Sequence, residues 1–246
     1  MKFGIKIWST NNKLIECAKS EFSKNSFDFI ELSAITNSFN KSILSNLQGI
    51  PTVIHCDNNN VSFANKKLYQ ENVEATRESQ KFADFLDSKY IILHPGHNGT
   101  IENVNDFLSS FNDDRFCIEN MPGKTVDLKY YNVGRTYEEI KKINIHRYCL
   151  DLSHAVKSAI TLNLDVFENI RNLLKLNPEI FHISDGVTDN EVDEHLNIGE
   201  GNYNIGKIID LIGRDNDKYI TLETPKENYD DLDVDILNVK RLKEFF

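Results

Sequence analysis

Short runs rich in β-branched and aromatic residues recur eight times along this chain, with helically spaced segments between them. The runs are Phe3–Trp8, Phe27–Leu32, Pro51–His55, Tyr90–His94, Phe116–Glu119, Tyr148–Asp151, Ile180–Ile183 and Tyr219–Glu223. Several are apolar almost throughout, as parallel strands covered on both faces must be. Between them, Val73, Ala75, Phe82, Phe85 and Leu86 share one helical face. Ile170, Leu173, Leu174 and Leu176 form another, which Pro178 is expected to stop. Ile205–Ile212 and Ile236–Phe245 complete the helical set.

Eight strands alternating with helices predict an α/β fold of one closed parallel (β/α)8 barrel, spanning residues 1–246 as a single domain. Such a barrel needs about 250 residues, which leaves no room for a second domain. An apolar content of 40% is enough to fill its core. An open doubly wound sheet is the alternative. If it bound a nucleotide it would need a glycine-rich turn after its first strand, where this chain has Trp8-Ser9-Thr10-Asn11.

A formal charge of −10 argues against a surface built for broad polyanion binding. It is also what a cluster of carboxylates around bound cations would leave in the total. Cys17, Cys56, Cys117 and Cys149 show no CxxC spacing and are expected to be reduced and mostly buried. The N-terminus reads directly into a strand rather than a signal peptide, and no apolar run approaches the roughly 20 residues that cross a bilayer. A soluble, cytoplasmic protein without membrane partners is the expectation.

The polar residues cluster where strands end. The third run ends in His55, the fourth in His94, the fifth in Glu119, and the sixth in Asp151 with His154 three residues on. His182 lies in the seventh run, Glu223 ends the eighth, and Asp193 and His195 occupy the loop between them. A barrel gathers all C-terminal strand ends on one face, so these nine side chains would meet across a single rim. They would repel, or lie unsatisfied, without a positive centre. Imidazole nitrogen and carboxylate oxygen are ligands of Zn²⁺ and Mn²⁺, so a divalent-metal site follows.

Taken singly, each residue has a plainer reading. A lone His after an apolar strand more often caps or hydrogen-bonds. Asp151 could simply cap a helix whose first turn holds His154. Asp193-Glu194-His195 could be a charged loop. It is their recurrence at so many independent positions that favours a metal site. His97 and His146 fall off the pattern and read as surface or supporting residues.

The segments IHC (54–56), ILHPG (92–96), IENMPG (118–123), LDLSHA (150–155), FHISD (181–185), DEHLNIGEG (193–201) and LETP (222–225) resemble the endonuclease IV and xylose isomerase-like barrel superfamily, over nearly the whole chain. That superfamily takes in AP endonuclease family 2 and the sugar phosphate isomerase/epimerase-like proteins. The resemblance to endonuclease IV implies up to three zinc ions. His55 and His94 would hold one, bridged by Glu119 to a second that Asp151, His182 and Glu223 complete. His154, Asp193 and His195 would hold the third. The superfamily's sugar isomerases imply a smaller core of Glu119, Asp151, His182 and Glu223 around one Mn²⁺, Co²⁺ or Mg²⁺.

Two chemistries therefore share one rim, with Glu119 and Glu223 as the catalytic candidates. Phosphoester hydrolysis would use clustered metals, with Glu119 as the bridging carboxylate. Isomerisation or epimerisation of a sugar or sugar phosphate would use Glu119 and Glu223 as a proton shuttle on opposite faces. The complete outer set favours hydrolysis, because an isomerase does not need it. A non-catalytic, metal-storing barrel is the reading from a different class, and the intact set argues against it.

A small phosphorylated or sugar substrate is expected rather than long DNA. Residues 34–50 must hold a helix around Ile43, Leu44 and Leu47, which leaves little length for a DNA-probing loop. Lys124, Arg135 and Lys157 are the nearest cations to a motif and read as solvated charge. Lys6 and Trp8 replace the small, polar start of the endonucleases; Trp8 could wall a sugar site or belong to the core.

Overall fold

The computed structural model describes residues 1–215 and 217–246. Strand and helix alternate as β1 (Lys2–Trp8), α1 (Asn12–Ser23), β2 (Phe29–Ala34), α2 (Lys41–Leu44), β3 (Thr52–Cys56) and α3 (Tyr69–Leu86). The chain continues through β4 (Ile91–Leu93), α4 (Ile101–Leu108), β5 (Phe116–Glu119), α5 (Tyr137–Ile140), β6 (Tyr148–Asp151) and α6 (Leu152–Leu162). It ends with α7 (Val166–Leu174), β7 (Ile180–Ile183), α8 (Ile205–Ile212), β8 (Tyr219–Leu222) and α9 (Asp233–Lys243). The eight strands close in sequence order, every pair parallel, with β8 returning to β1.

Most strand ends shift by at most a single residue, and two larger shifts have local reasons. The second strand begins at Phe29 and runs on to Ala34, because its pairing with β3 matches Ile30–Ala34 to Thr52–Cys56. The helix expected to reach Leu176 ends at Leu174, and the chain reverses at Asn177, which adopts φ 54°, before Pro178 arrives. Between β2 and β3, α2 and a tight turn over Ser45–Leu47 occupy the middle of the connection. All four cysteines are free, and Cys56, Cys117 and Cys149 are buried. Among the described residues, no helix is long and apolar enough to cross a membrane.

The core has two parts. A large apolar shell fills the space between strands and helices. Inside the barrel lies a separate cluster with one residue from each of six strands: Phe29, Val53, Ile92, Cys117, Cys149 and Ile180, with Tyr219 of β8 packed against it. Side chains on a strand alternate faces with a period of two. The next inward residue on each strand is therefore two positions on: Glu31, His55, His94, Glu119, Asp151, His182 and Thr221. On β1 the same step leads from Gly4 to Lys6. An apolar plug thus supports a polar layer at the C-terminal end of the barrel, where this fold places its chemistry.

Candidate metal centre

Glu119 is the hub of this layer. Its side chain is fully buried, with Oε2 at 3.1 Å from His94 Nε2, 3.3 Å from His55 Nε2 and 3.4 Å from His182 Nδ1. Its other oxygen, Oε1, lies 3.1 Å from His154 Nδ1. Asp151 ends β6 and caps α6, accepting the His154 backbone N–H at 2.6 Å on Oδ1 while Oδ2 faces His182. Glu223 Oε1 lies 2.8 Å from His182 Nδ1. Asp193 Oδ2 is 2.8 Å from His195 Nε2 and 3.1 Å from His154 Nε2. All nine sequence-predicted residues fall within this one site.

Four of the histidines are oriented by a bond at one ring nitrogen that leaves the other facing the carboxylates. Nδ1 of His55 bonds the Cys56 carbonyl (2.8 Å), that of His154 the Asn120 carbonyl (2.8 Å), and that of His195 the Glu223 carbonyl (2.9 Å). His182 uses Nε2 instead, bonded to Glu31 Oε2 at 2.8 Å. Fixing the protonated nitrogen in this way turns the lone pair of the other toward the site, the arrangement a metal-ligating histidine requires.

The electrostatics of the protein groups leave a demand for positive charge. Burial penalises the Glu119 carboxylate, but His94 and His182 outweigh it and hold its pKa well below the usual range. Asp151 is pushed up to about 6 by burial, with the neighbouring carboxylates adding to the rise. Burial alone would lower the pKa of His195, yet Asp193 raises it to about 9. Asp151 Oδ2 and Asp193 Oδ1 are buried without a hydrogen-bond partner. Unsatisfied buried carboxylate oxygens are costly, and cations among them would resolve the cost.

The residues therefore fit divalent ions. The candidate ligand atoms of His55, His94 and Glu119 lie within 4.8 Å of one another, as do those of His154, Asp193 and His195, and those of Glu119, Asp151 and His154. Glu31, His55 and Glu223 form a further such group.

Three residues of the site were not picked out as site residues by the sequence reading. Glu31, fully buried on β2, bonds His182 and accepts from Thr221 Oγ1 at 2.8 Å. Lys6 stands beside it in the β1–β2 register and bridges Glu31 (3.2 Å) and Glu223 (2.5 Å). Asn120 exchanges two hydrogen bonds with the Asp151 backbone, at 2.8 and 2.9 Å. The period-two step from the apolar plug would have found Glu31 and Lys6; no sequence signal marked Asn120.

A cleft of about 230 Å³ opens above the layer, lined by Lys6, His94, His97, Lys124, His195 and Glu223 among others. A neighbouring hollow of about 330 Å³ is walled by Trp8, Asn58 and Pro225. Trp8 is half-buried and faces Tyr229 at 6.3 Å, so it belongs to a wall rather than to the core. His97 stacks on Tyr130, and His146 is exposed. One expectation fails: Lys157 is not solvated charge but fully buried, with its ammonium 2.8 Å from Glu194. Lys124 and Arg135 are partly buried and paired with Glu191 and Glu139.

Among curated relatives, the chain is 28% identical over 205 residues to an uncharacterised protein of Methanocaldococcus jannaschii, covering 77% of this chain and 76% of that one. It is 27% identical over 223 residues to a probable endonuclease 4 of Halothermothrix orenii, covering 78% and 77%. Among solved structures it superposes on a D-tagatose 3-epimerase-like protein with a TM-score of 0.76 at 22% identity, over 100% of this chain and 97% of the other. Endonuclease IV from Thermus thermophilus follows with a TM-score of 0.72 at 20% identity, over 100% and 98%. Residues 23–244 match the sequence pattern of the xylose isomerase-like TIM barrels, and the chain belongs to that family.

Proposed function

We propose that this protein is a metal-dependent phosphoester hydrolase with a multinuclear, zinc-preferring site, acting on a small phosphorylated substrate. The observation that carries the reading is the outer triad. His154, Asp193 and His195 converge on one another while Glu119 reaches toward both His154 and the His55–His94 pair. A four-residue isomerase core has no use for that triad.

His55, His94 and Glu119 would hold one ion; Glu119, Asp151, His182 and Glu223 a second; His154, Asp193 and His195 a third. Bound ions would supply Lewis acidity and a nucleophile at neutral pH. The protein's own part is to hold these ligands rigid from strand ends, keep each histidine in one tautomer, and shape the cleft above them. Glu119, with one oxygen toward His55, His94 and His182 and the other toward His154, would contribute to holding more than one ion. Lys6, at the cleft's edge, holds Glu31 and Glu223 in place beneath a bound substrate.

Small substrates are favoured over long DNA because the cations near the cleft are already committed. Lys6 and Lys124, the cations lining the cleft, both carry carboxylate partners. Duplex affinity scales with the phosphates that free cations can neutralise.

A second reading, sugar or sugar-phosphate isomerisation with one Mn²⁺, Co²⁺ or Mg²⁺, is favoured by a different observation. Glu119 and Glu223 approach the same His182 nitrogen, at 3.4 and 2.8 Å, so two carboxylates flank one core position as a proton shuttle requires. Metal analysis of the purified protein, paired with assays on small phosphodiesters, abasic DNA and sugar phosphates, separates the two. Close to three ions per chain with phosphoester turnover is expected. A single Mn²⁺ or Co²⁺ with sugar-phosphate turnover and no phosphoester cleavage would replace the first reading by the second.

A further inference from the structure

The loop from 184 to 204 carries Asp193 and His195 without helix or strand of its own, apart from one bridge between Asp185 and Leu196. His195 adopts φ 54°, a left-handed conformation uncommon outside glycine though histidine enters it more often than most residues. The paired Asp185–Leu196 backbone bonds, the Lys124–Glu191 ion pair and the His195 Nδ1 bond to the Glu223 carbonyl hold parts of this loop, and the stretch from Val187 to Glu194 has a further anchor.

Lys157 supplies it. It lies one turn beyond His154 on α6, on the same side of the helix, and none of its side chain is exposed. Its ammonium donates to the Val187 carbonyl at 2.6 Å. It also lies 3.3 Å from both the backbone and the side-chain oxygen of Asn190, and 2.8 Å from Glu194 Oε2. The Tyr203 ring stands 5.7 Å away. These are the ligands of a small oxygen cage for a monovalent cation, with the lysine ammonium tethered inside it. Burying an unpaired lysine is costly, so the cage and the charge hold each other in place.

We infer that Lys157 is a positioning residue for the Asp193–His195 pair. Resting on the multinuclear reading above, it is what makes the outer triad a site. One helix carries His154 directly and, through the ammonium, holds the stretch from Val187 to Glu194 that contains Asp193, while His195 is also fixed by its bond to the Glu223 carbonyl. Glu194, between the two candidates in sequence, is the loop's anionic contact with that ammonium. The clamp acts before any ion binds, so it reduces the ordering that ion binding must otherwise impose on the loop.

The test is amide hydrogen exchange on the metal-stripped K157M protein, followed by zinc titration and counting of bound ions by native mass spectrometry. Methionine keeps the apolar stem and removes the charge. Exchange over 187–196 should rise at least tenfold while β1–β8 stay protected. The chain should then bind one ion fewer than wild type, with the remaining ions held within about twofold of their original affinity. Wild-type protection of 187–196 in K157M would overturn the inference, as would a full complement of ions at wild-type affinity. Should K157M not fold, E194Q, altering a partly exposed group, should raise exchange over the same segment and lower the last ion's affinity; no change in either would likewise overturn the clamp. A wild-type chain that binds only one ion would defeat the multinuclear reading instead, and exchange in the metal-free protein would still decide the clamp.

Discussion

Glu31 Oε2 sits 2.8 Å from Nε2 of His182, on the side of the ring away from the other carboxylates, and so determines which histidine nitrogen faces them. Glu31 is held ionised because, although burial opposes it, His182 and Lys6 lower its pKa. As an acceptor it requires the proton on Nε2, leaving the Nδ1 lone pair toward Glu119, Asp151 and Glu223. In E31Q the amide can donate instead and favour the opposite tautomer. Partners of this kind are worth about 10- to 100-fold in metal affinity. A competition titration against a chelating dye should find a loss of that size for the core ion, and unchanged affinity would sink the assignment.

The two proposed chemistries respond differently to a pair of single substitutions. E119Q removes the carboxylate both require, and activity should fall on the order of 10²-fold or more in either case. H195A touches only the outer triad. A multinuclear hydrolase should lose most of its kcat with H195A, whereas a mononuclear isomerase should keep activity within a few fold. Steady-state kinetics of both variants on a phosphoester and on a sugar phosphate distinguish the outcomes.

Ion binding to a site crowded with buried carboxylates must also stabilise the fold. An ion present at 100 times its dissociation constant adds about 2.7 kcal/mol. In a domain of about 250 residues, each kcal/mol moves Tm by roughly 2–4 °C. Stripping the protein with EDTA should therefore lower Tm by about 5–10 °C for each ion removed, and adding zinc back should restore it. Scanning fluorimetry with and without chelator measures this directly; an unchanged Tm would mean that the site binds no ion tightly.

The fold, and the nine candidate positions that the structure brings together, were legible because they rest on repetition. Eight strand-like runs alternating with helices favour closure into a barrel, and residues two positions beyond the inward apolar layer share its inward face near the strand ends. His94 and Glu223 lie one position beyond β4 and β8 without leaving the site. Glu31 was obscured because it sits mid-strand in FIELSA, where a lone carboxylate reads as an interruption of an apolar run. Lys157 was misjudged because one lysine on an amphipathic helix says nothing of the loop folded over it; its oxygen partners come from residues 30–37 positions away. Such tertiary pairings leave no periodic trace in the chain.

The apolar plug beneath the polar layer makes its own prediction at Gly4. A Cβ built there would come within 2.5 Å of Phe29 Cε1, because the Phe29 ring, paired opposite Gly4 on the adjacent strand, leans over β1 toward Tyr219 and fills the place where β1 has no side chain. Overpacking of this sort costs about 1–3 kcal/mol. G4A should accordingly lower the urea midpoint, and tilting Phe29 should disturb Glu31, two residues on, and through it His182. The double variant G4A/F29L, which trades the ring for a smaller side chain, should recover part of that loss. Urea unfolding of the single and double variants checks both expectations. A G4A protein as stable as wild type would mean that the ring does not fill the barrel against β1, and that the plug does not set the height of the layer above it.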